Sequence, residues 1–475
     1  MPTDLWIDGS WRPSATGATF DVVDPGTGTA FASVAAGSPA DATAAADAAA
    51  AAQPGWAATP TRERSEILRA CWAALLQHRD ELAELIVREH GKPLAEAAGE
   101  IDYAAEFFRW NAEETVRLTG QLYDAPSGAH RFMVRHPPVG VVAMITPWNF
   151  PAAMITRKVA PALGAGNAVV IKPAPDTPLT ALRVAELLHD AGVPSGVVNV
   201  VPTDRAQDWL DATVDHPAVR MLSFTGSTAV GRHLLHRCAD RVLKVAMELG
   251  GNAPFIVFAD ADLDAAVDGA MVAKLRHSAE TCVAANRFYV EAPVVEEFTA
   301  RLVERMSALH VGGGLEPGVG CGPLINAAAV AKATRLVDAA RDDGAEVALG
   351  GHALDRPGFF FAPTVLTGVT GGSAVTREEL FAPIAPLVPF ASDAELLAWV
   401  NDTEMGLAAY LYGRDLARTL HVAERIESGM VGINRGFMSD PAAPFGGMKQ
   451  SGLGREGGRE GIYEFCETQF IAAQW

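Results

Sequence analysis

The sequence predicts an α/β fold in which parallel β-strands alternate with α-helices. Two short apolar runs, residues 140–145 and 168–171, are bounded by Gly, Asn and Pro and have the length of buried strands. The second run is followed by a helical pattern over residues 177–191, and apolar runs at 198–201 and 220–224 continue the alternation. This succession predicts a twisted parallel sheet with helices on both faces.

The same alternation resumes in the second half of the chain. Strands are predicted at residues 255–258 and 287–290, with a helix over residues 262–277 between them. A chain of 475 residues is longer than one hydrophobic core usually supports. We therefore expect two or more domains.

The remaining elements are predicted from caps and from the helical spacing of apolar residues. Ser38 and Asp41 form a capping signal for an Ala-rich helix that runs to about residue 52. Ser392 is the predicted N-cap of a helix over residues 393–401. Other helices are predicted at residues 62–89, 95–118, 294–309 and 327–343, and an edge strand is predicted at residues 464–471.

Composition and charge exclude several classes of function. The apolar fraction of 49% and the charged fraction of 20% are those of an ordinary globular protein. A net charge of −19 argues against nucleic acid or an anionic membrane as a partner. No run of about 18 apolar residues that would span a membrane is present. Residues 1–20 contain Asp4 and Asp8 where a secretory signal would need an apolar segment, so a cytoplasmic location is expected.

The cysteines indicate neither disulfides nor a metal site, since their number is odd and their spacing is irregular. Cys282 differs from the others because a polar run, residues 276–281, precedes it and a predicted strand follows it. A thiol in such a loop can be partly exposed and activated. Taken alone, a single cysteine in a large protein is more often an inert buried residue.

Three other stretches give Cys282 a context. Glu248-Leu-Gly-Gly-Asn-Ala-Pro254 begins 34 residues before it. Pro147-Trp-Asn-Phe-Pro151 lies further upstream, and Glu378-Glu-Leu-Phe-Ala-Pro383 follows downstream. These ordered motifs, over nearly the whole chain, closely resemble the aldehyde dehydrogenase superfamily.

The resemblance implies an aldehyde dehydrogenase-like α/β fold with two parallel-sheet domains and a small β arm. A Rossmann-like cofactor domain would comprise residues 1–118 and 139–250, and a catalytic domain residues 251–437. Residues 119–138 and 438–475 would form the oligomerisation segments. In this family the C-terminal strand completes a partner subunit's sheet, so a homodimer or homotetramer is expected.

The resemblance also implies a site for NAD or NADP. The G-x-G-x-x-G fingerprint is absent. Gly226 and Ser227 instead open a helix whose N-terminus suits a pyrophosphate, although this segment taken alone is equally typical of an ordinary capped helix. The other positions that match cofactor-binding residues are Lys172 for the adenine ribose, Glu379 and Phe381 for the nicotinamide ribose and ring, and Ile145, Thr146, Trp148 and Leu249 along the channel.

Pro175 leaves the choice between NAD and NADP open. NAD-preferring relatives often have a ribose-binding glutamate at this position. Its loss removes a hydrogen bond to the 2′-hydroxyl and also the repulsion of a 2′-phosphate, so Lys172 would be free to bind a phosphate.

The chemistry that the resemblance implies is oxidation of an aldehyde to an acid. The Cys282 thiolate would attack the aldehyde to give a thiohemiacetal, with Asn149 and the Cys282 N–H donating to the oxyanion. Loss of hydride would leave a thioester, which water would hydrolyse with Glu248 as general base. One departure is Ala279-Glu280, where many members have Gly-Gln. A carboxylate at this position would raise the pKa of the thiol if it points inward.

Three polar positions indicate the substrate. Arg157, Arg276 and Ser439 stand where succinate-semialdehyde dehydrogenases have Arg, Arg and Ser, and where relatives that take apolar aldehydes tend to have aromatic residues. Two guanidinium groups and a hydroxyl would bind a substrate carboxylate. Ala284 replaces the second cysteine with which some members form a redox switch, so no such switch is predicted.

Several alternatives stay open. Glutarate semialdehyde is a second carboxylated substrate, and another polar or aromatic aldehyde of a specialised pathway would suit a pocket altered around His277 and Glu280. A third hypothesis is a non-catalytic binding protein on the same fold. The joint presence of five candidate functional residues argues against that third hypothesis: Cys282, Glu248, Asn149, Lys172 and Glu379.

Overall fold

Two large β-sheets organise the protein, whose computed structural model describes residues 3–474. The predicted α/β class is confirmed. The strands are β1 (Leu5–Ile7), β2 (Ser10–Arg12), β3 (Thr19–Asp24), β4 (Thr29–Ala35), β5 (Gln121–Asp124), β6 (Arg131–Arg135), β7 (Val141–Ile145), β8 (Ala168–Lys172), β9 (Val198–Val200), β10 (Val219–Thr225), β11 (Lys244–Glu248), β12 (Ala253–Val257), β13 (Ala285–Glu291), β14 (Glu346–Leu349), β15 (Thr364–Thr367), β16 (Ile384–Phe390), β17 (Met405–Gly406), β18 (Ala408–Tyr412), β19 (Met430–Ile433), β20 (Met448–Lys449), β21 (Gly452–Leu453) and β22 (Gln469–Ala473).

Helices cover the faces of these sheets. None of those within residues 3–474 has the length and hydropathy that crossing a lipid bilayer requires. The helices are α1 (Pro39–Ala58), α2 (Thr61–Gln77), α3 (Arg79–His90), α4 (Leu94–Thr115), α5 (Ala153–Ala165), α6 (Pro178–Asp190), α7 (Ala206–Val214), α8 (Thr228–Ala239), α9 (Leu263–Leu275), α10 (Val295–Ser307), α11 (Ala327–Asp342), α12 (Ala374–Arg377), α13 (Asp393–Asn401), α14 (Leu416–Ala423) and α15 (Glu460–Glu464), with short 3-10 helices at Arg276–Ala279 and Ala292–Val294.

The first sheet has the strand order β2-β1-β9-β8-β7-β10-β11-β21. Its five central strands are parallel, and antiparallel strands close both sides. From β7 the chain adds β8 and β9 on one side and then crosses to add β10 and β11 on the other. The crevice at the carboxyl ends of β7 and β10 is therefore a topological switch point, where open α/β sheets bind ligands.

The second sheet has the order β14-β15-β16-β13-β12-β18-β19 and is parallel except for β14. Phe255 of β12 is fully buried at its centre. Its ring centroid lies 5.2 Å from that of Phe288, on β13, and 5.1 Å from that of Tyr412, on β18. These rings join three neighbouring strands across one face, so the loop between α9 and β13 starts from a rigid base.

A small antiparallel sheet stands apart from the two large ones. It has the order β22-β6-β5, so the hairpin of β5 and β6, within the predicted oligomerisation segment 119–138, pairs with the C-terminal strand of the same chain. On one face the ring of Phe132 lies 5.3 Å from that of Tyr123 and 4.9 Å from that of Phe470. Tyr123 and Phe470 are exposed in the monomer.

Both predicted helix caps agree with the structure, and two element boundaries do not. The predicted helix at residues 62–89 is two helices, since the backbone of His78 leaves the helical region (φ −102°, ψ 20°) and lets α2 and α3 both pack on α4. The strand predicted at residues 464–471 begins later, as β22. Ile462 and Phe465 are buried, so the preceding residues pack into the core as the short helix α15.

We expect Phe255→Ala to be among the most destabilising single changes in the second sheet. Removing a fully buried ring leaves a cavity and costs about 3–5 kcal/mol in the free energy of unfolding. The midpoint of denaturant unfolding would measure it. Val272→Ala, at an exposed position of α9, is the matched control, and equal midpoints for the two variants would contradict the central role of Phe255.

Candidate active site

The loop that carries Cys282 has a strained backbone. His277, Ser278 and Ala279 have φ values of 54°, 56° and 69°, three consecutive non-glycine residues in the left-handed region. Each such residue costs roughly 1 kcal/mol or more. The glycine that many family members have at position 279 would relieve part of this cost, because glycine adopts positive φ freely.

Buried hydrogen bonds hold this loop from two sides. The Glu96 carboxylate accepts a hydrogen bond from the His277 N–H at 2.6 Å, and the Ser278 hydroxyl accepts one from the Gly322 N–H at 3.0 Å. The Lys92 ammonium is 2.6 Å from Nδ1 of the His277 ring. The strained conformation is therefore fixed by the surrounding structure.

Glu280 is fully buried, and its side chain belongs to the same set of contacts. Oε1 accepts a hydrogen bond from the Ile325 N–H at 2.9 Å, and Oε2 lies 3.9 Å from Nε2 of His90. Burial raises the pKa of Glu280 well above its usual value. A protonated carboxyl group carries no charge, so Glu280 does not exert on the Cys282 thiolate the repulsion that the sequence suggested.

The Cys282 thiol faces a cavity of about 270 Å³ between the two large sheets. Burial raises the pKa of Cys282 to about 12, Arg157 lowers it, and the carboxyl groups of Glu379 and Glu248 raise it further. The free thiol is therefore protonated at neutral pH and needs a base for activation. The cavity is lined by Pro147, Trp148, Asn149, Met154, Thr225, Gly226, Ser227, Leu249, Gly250, Glu280, Cys282, Ile325, Asn326, Ala329, Lys332, Glu379 and Phe381.

Asn149 is fixed beside this thiol by contacts to the loop before it. Its side-chain Nδ2 donates to the backbone carbonyl of Glu280 at 2.9 Å, and the backbone carbonyl of Asn149 accepts from the Lys92 ammonium at 2.7 Å. The amide nitrogen carries two hydrogens, so one N–H remains for an oxyanion. Asn149 is thus buried, oriented and on the cavity wall, as an oxyanion donor requires.

Glu248 is the last residue of β11 and is buried. Its Oε2 has no hydrogen-bond partner within residues 3–474. Burial raises the pKa of Glu248 well above its usual value, and the nearby carboxyl of Glu456 raises it further. A carboxylate with a raised pKa is a stronger general base than an exposed one.

Glu456 was not among the residues that the sequence singled out. It is buried, and its two oxygens lie 2.6 Å from Nε of Arg157 and 2.6 Å from Nζ of Lys158. Burial would raise the pKa of Glu456, but Lys158 and Arg157 hold it below its usual value. This buried ion cluster lies beside Glu248. The sequence gives no sign of it, because charged residues in a Gly-rich segment are normally exposed.

The other end of the cavity has the features of a dinucleotide site. Gly226 follows β10, and the Ser227 hydroxyl caps α8 by accepting from the Val230 N–H at 3.4 Å. Glu379 Oε1 accepts from the Gly251 N–H at 3.0 Å, and burial raises the pKa of Glu379 to about 7. The rings of Trp148 and Phe381 meet edge to face, 5.7 Å apart. Ile145 is the last residue of β7, Thr146 follows it, and Leu249 follows β11.

Gly251 allows the segment after β11 to approach the loop that carries Cys282 closely. A Cβ at this position would lie 2.5 Å from the Cys282 carbonyl oxygen, closer than atoms in contact can be. At Gly250 a Cβ would lie 3.1 Å from Oε2 of Glu379. The two glycines of the Glu248-Leu-Gly-Gly motif therefore bring the backbone after β11 close to Cys282 and Glu379, which both line the cavity. Glu248 itself is buried and is not part of the cavity lining.

Lys172 and Pro175 lie beside this cavity and do not line it. The Lys172 ammonium is at the end of β8, donates to the Pro173 carbonyl at 3.2 Å, and has its pKa lowered to about 8 by burial, against the opposing effect of Asp176. Pro175 and Asp176 line a neighbouring cavity that shares Asn326 with the main one.

The three residues predicted to bind the substrate have different surroundings. Arg276 is half-buried in a smaller cavity, with its guanidinium 4.3 Å from the ring centroid of Phe437. Arg157 is buried, 4.0 Å from the ring centroid of Phe445, and its Nη2 has no hydrogen-bond partner within the described residues although its Nε faces Glu456. Ser439 is buried close to Phe437 in the chain.

Tyr103, on α4, links these groups electrostatically. It lines the cavity of Arg276, and its pKa, raised by burial, is lowered by Arg157 and Arg276 and raised by Cys282. Both guanidinium groups and the thiol therefore lie within charge–charge range of one phenol. Sequence analysis missed Tyr103, because an aromatic residue on a helix is normally assigned to the core.

Comparisons with known proteins agree with this site. The chain matches the model of the aldehyde dehydrogenase family over residues 11–471. It is 49% identical over 465 residues to the NADP(+) succinate-semialdehyde dehydrogenase of Escherichia coli, a match that covers 98% of this chain and 96% of that protein. It is 48% identical to the glutarate-semialdehyde dehydrogenase of Pseudomonas putida, with 98% and 96% covered.

Solved structures give the same result. The crystal structure of succinate-semialdehyde dehydrogenase from Burkholderia pseudomallei superposes with a TM-score of 0.98 at 49% identity, over 99% of this chain and 98% of that one. Family model, relatives and fold thus coincide over nearly the whole length. The chain belongs to the aldehyde dehydrogenase family.

Proposed function

We propose that this protein oxidises a small carboxylated aldehyde, such as succinate or glutarate semialdehyde, to the dicarboxylic acid with NAD or NADP. The observation that carries the proposal is the cavity in which Cys282, Asn149 and Glu379 meet. Arg157 is close enough to lower the pKa of Cys282, and both Arg157 and Arg276 lower the pKa of Tyr103. The named activities of the relatives from Escherichia coli and Pseudomonas putida support it.

The cavity fits a nicotinamide dinucleotide. The helix start at Gly226 and Ser227 offers N–H groups to a pyrophosphate. The buried Thr225 hydroxyl, which has no hydrogen-bond partner in the described part of the chain, and the Glu379 carboxylate are hydrogen-bonding groups for a ribose. When bound there, the nicotinamide ring accepts the hydride that leaves the substrate. We propose residues 1–118 and 139–250 as the domain that binds it, because the first sheet supplies these loops, with residues 251–437 as the catalytic domain.

The protein groups perform the rest of the reaction. The Cys282 thiol loses its proton to solvent, and the thiolate sulfur adds to the aldehyde carbon. Asn149 Nδ2 and the Cys282 N–H donate to the oxyanion that forms. After loss of hydride the carbon is a thioester on Cys282. Glu248 then removes a proton from water, whose oxygen attacks the thioester, and the acid leaves as the thiol is restored.

Glu248→Gln should separate acylation from hydrolysis. The amide keeps the shape of the side chain but cannot accept the proton of water, so hydrolysis slows by about 10²–10⁴-fold. Stopped-flow absorbance should show a burst of reduced cofactor of about one per subunit, followed by slow turnover. Cys282→Ser should show no burst. Absence of the burst in Glu248→Gln would place Glu248 before hydride loss and contradict its role in hydrolysis.

Arg276→Ala should weaken use of the semialdehyde selectively. A lost hydrogen bond to a charged group costs about 1.5–3 kcal/mol, or about tenfold to hundredfold in kcat/KM. Steady-state rates with succinate semialdehyde and with butanal, each with NAD and NADP, would measure it. Arg305→Ala, an exposed arginine of α10, removes the same charge elsewhere. Equal losses for butanal and the semialdehyde would overturn the carboxylate site and favour another polar or aromatic aldehyde.

We also propose that the small sheet joins subunits into a homodimer or homotetramer. Its outer strands β22 and β5 have open edges within residues 3–474, and Tyr123 and Phe470 expose large apolar area.

Phe470→Asp should therefore reduce the assembly, because a charge cannot be buried in an apolar interface without a partner. Light scattering after size-exclusion chromatography would give the mass. Leu315→Asp, at an exposed leucine outside this sheet, should leave the mass unchanged. A wild-type monomer, or an unchanged mass in Phe470→Asp, would contradict the interface.

A further inference from the structure

Two fully buried titratable side chains, His90 and Glu280, face each other next to the loop that carries Cys282. His90 ends α3, and Glu280 precedes Cys282 by two residues. Oε2 of Glu280 and both ring nitrogens of His90 have no hydrogen-bond partner within residues 3–474, and Oε2 lies 3.9 Å from Nε2. Unpaired buried polar atoms are rare and costly.

One proton gives both Oε2 of Glu280 and Nε2 of His90 a hydrogen-bond partner. A small rotation of either side chain converts the 3.9 Å separation into a hydrogen bond in which the protonated carboxyl of Glu280 donates to Nε2 of His90. The pair then holds one proton more than a carboxylate and a neutral imidazole.

We propose that His90 and Glu280 share one buried proton and that this proton fixes the position of the Cys282 loop. The proposal rests on the proposed role of Cys282 as nucleophile. His90 and Glu280 are positioning residues, since they act on the thiol through the loop.

The hydrogen bonds of Glu280 show how the pair reaches the reacting groups. Its Oε1 accepts from the Ile325 N–H, and Ile325 lines the main cavity. Its backbone carbonyl accepts from Asn149 Nδ2, the predicted oxyanion donor. The loop before Cys282 is strained, so it keeps its conformation only while such contacts hold it. A displaced Glu280 would move Asn149 and Cys282 together.

The charges around the pair determine how it titrates. Burial lowers the pKa of His90 well below its usual value, and Lys92 lowers it further. Burial raises the pKa of Glu280 well above its usual value, the Ile325 N–H and Lys92 oppose this effect, and Asp176 adds to it. The Lys92 charge is itself balanced by Glu100 at 2.6 Å, and Glu96 and His277 complete the buried set. A protonated Glu280 beside a neutral His90 therefore suits this site. Loss of the proton at alkaline pH leaves a buried carboxylate and loosens the loop.

The rate of Cys282 alkylation by iodoacetamide between pH 6 and pH 10 tests the proposal without any turnover, with peptide mapping to identify Cys282. The wild-type rate should rise with thiolate formation and depart from a single titration at alkaline pH as the pair loses its proton. Glu280→Gln keeps a donor to His90 but no titratable proton, so this second step should vanish. His90→Leu removes the acceptor and should slow alkylation at pH 7 by about tenfold.

Glu89→Gln is the matched control. This neighbouring buried carboxyl accepts hydrogen bonds from the Leu179 and Thr180 N–H groups at the start of α6. The Glu89→Gln substitution should lower Tm, and the pH dependence of Cys282 alkylation should remain the same as in the wild type. Superimposable profiles for wild type and Glu280→Gln would overturn the shared proton. A wild-type Cys282 that iodoacetamide does not modify would instead overturn the proposed nucleophile.

Discussion

The buried ammonium of Lys92 connects the three segments from which the site is built. It lies 2.6 Å from Glu100 on α4, 2.7 Å from the carbonyl of Asn149 and 2.6 Å from the ring of His277. Burial lowers the pKa of Lys92, and Glu100 opposes that effect. Glu100 also accepts the first N–H groups of α5, at Ala152 and Ala153. The Lys92–Glu100 ion pair therefore fixes three segments: the loop that carries Asn149, the loop that carries Cys282, and the helix α5, which carries Arg157. Removing one partner of a buried pair is far costlier than removing a surface charge.

A second constraint is the close approach of backbones around Cys282. Gly251 admits the Cys282 carbonyl, and Tyr410 donates its hydroxyl to the Val283 carbonyl at 2.8 Å from the opposite side. These contacts hold the backbone of Cys282 and Val283, a few residues after the segment with positive φ, and so fix the chain where that segment ends. The positive φ of Ala279 has a conformational cost that glycine would not have, and the surrounding hydrogen bonds offset this cost. The nucleophile is thereby held in one place before any ligand binds, as preorganised catalysis requires.

Sequence analysis predicted the fold class and the order of the motifs because both depend on local patterns. Strand alternation and the caps at Ser38 and Ser392 are visible within a few residues. The break at His78 was missed, since apolar spacing continues through it and only packing on α4 requires two axes. The two buried ion clusters, one around Lys92 and one around Glu456, were missed for a related reason. A charged side chain is normally solvent-exposed, and only the tertiary structure shows which ones are not.

Arg157 shows how a structural and a substrate-binding role can coexist in one side chain. Its Nε faces Glu456 at 2.6 Å, which supports the view that it is a paired core residue. Its Nη2 is buried and has no hydrogen-bond partner among residues 3–474, which is costly unless a ligand supplies one. A guanidinium has five donors in a planar fork, so one edge can bind Glu456 while the other binds a substrate carboxylate. The same charge lowers the pKa of Cys282. A substrate carboxylate on Arg157 would partly neutralise this effect, so the substrate and the Cys282 thiolate compete for the same positive charge.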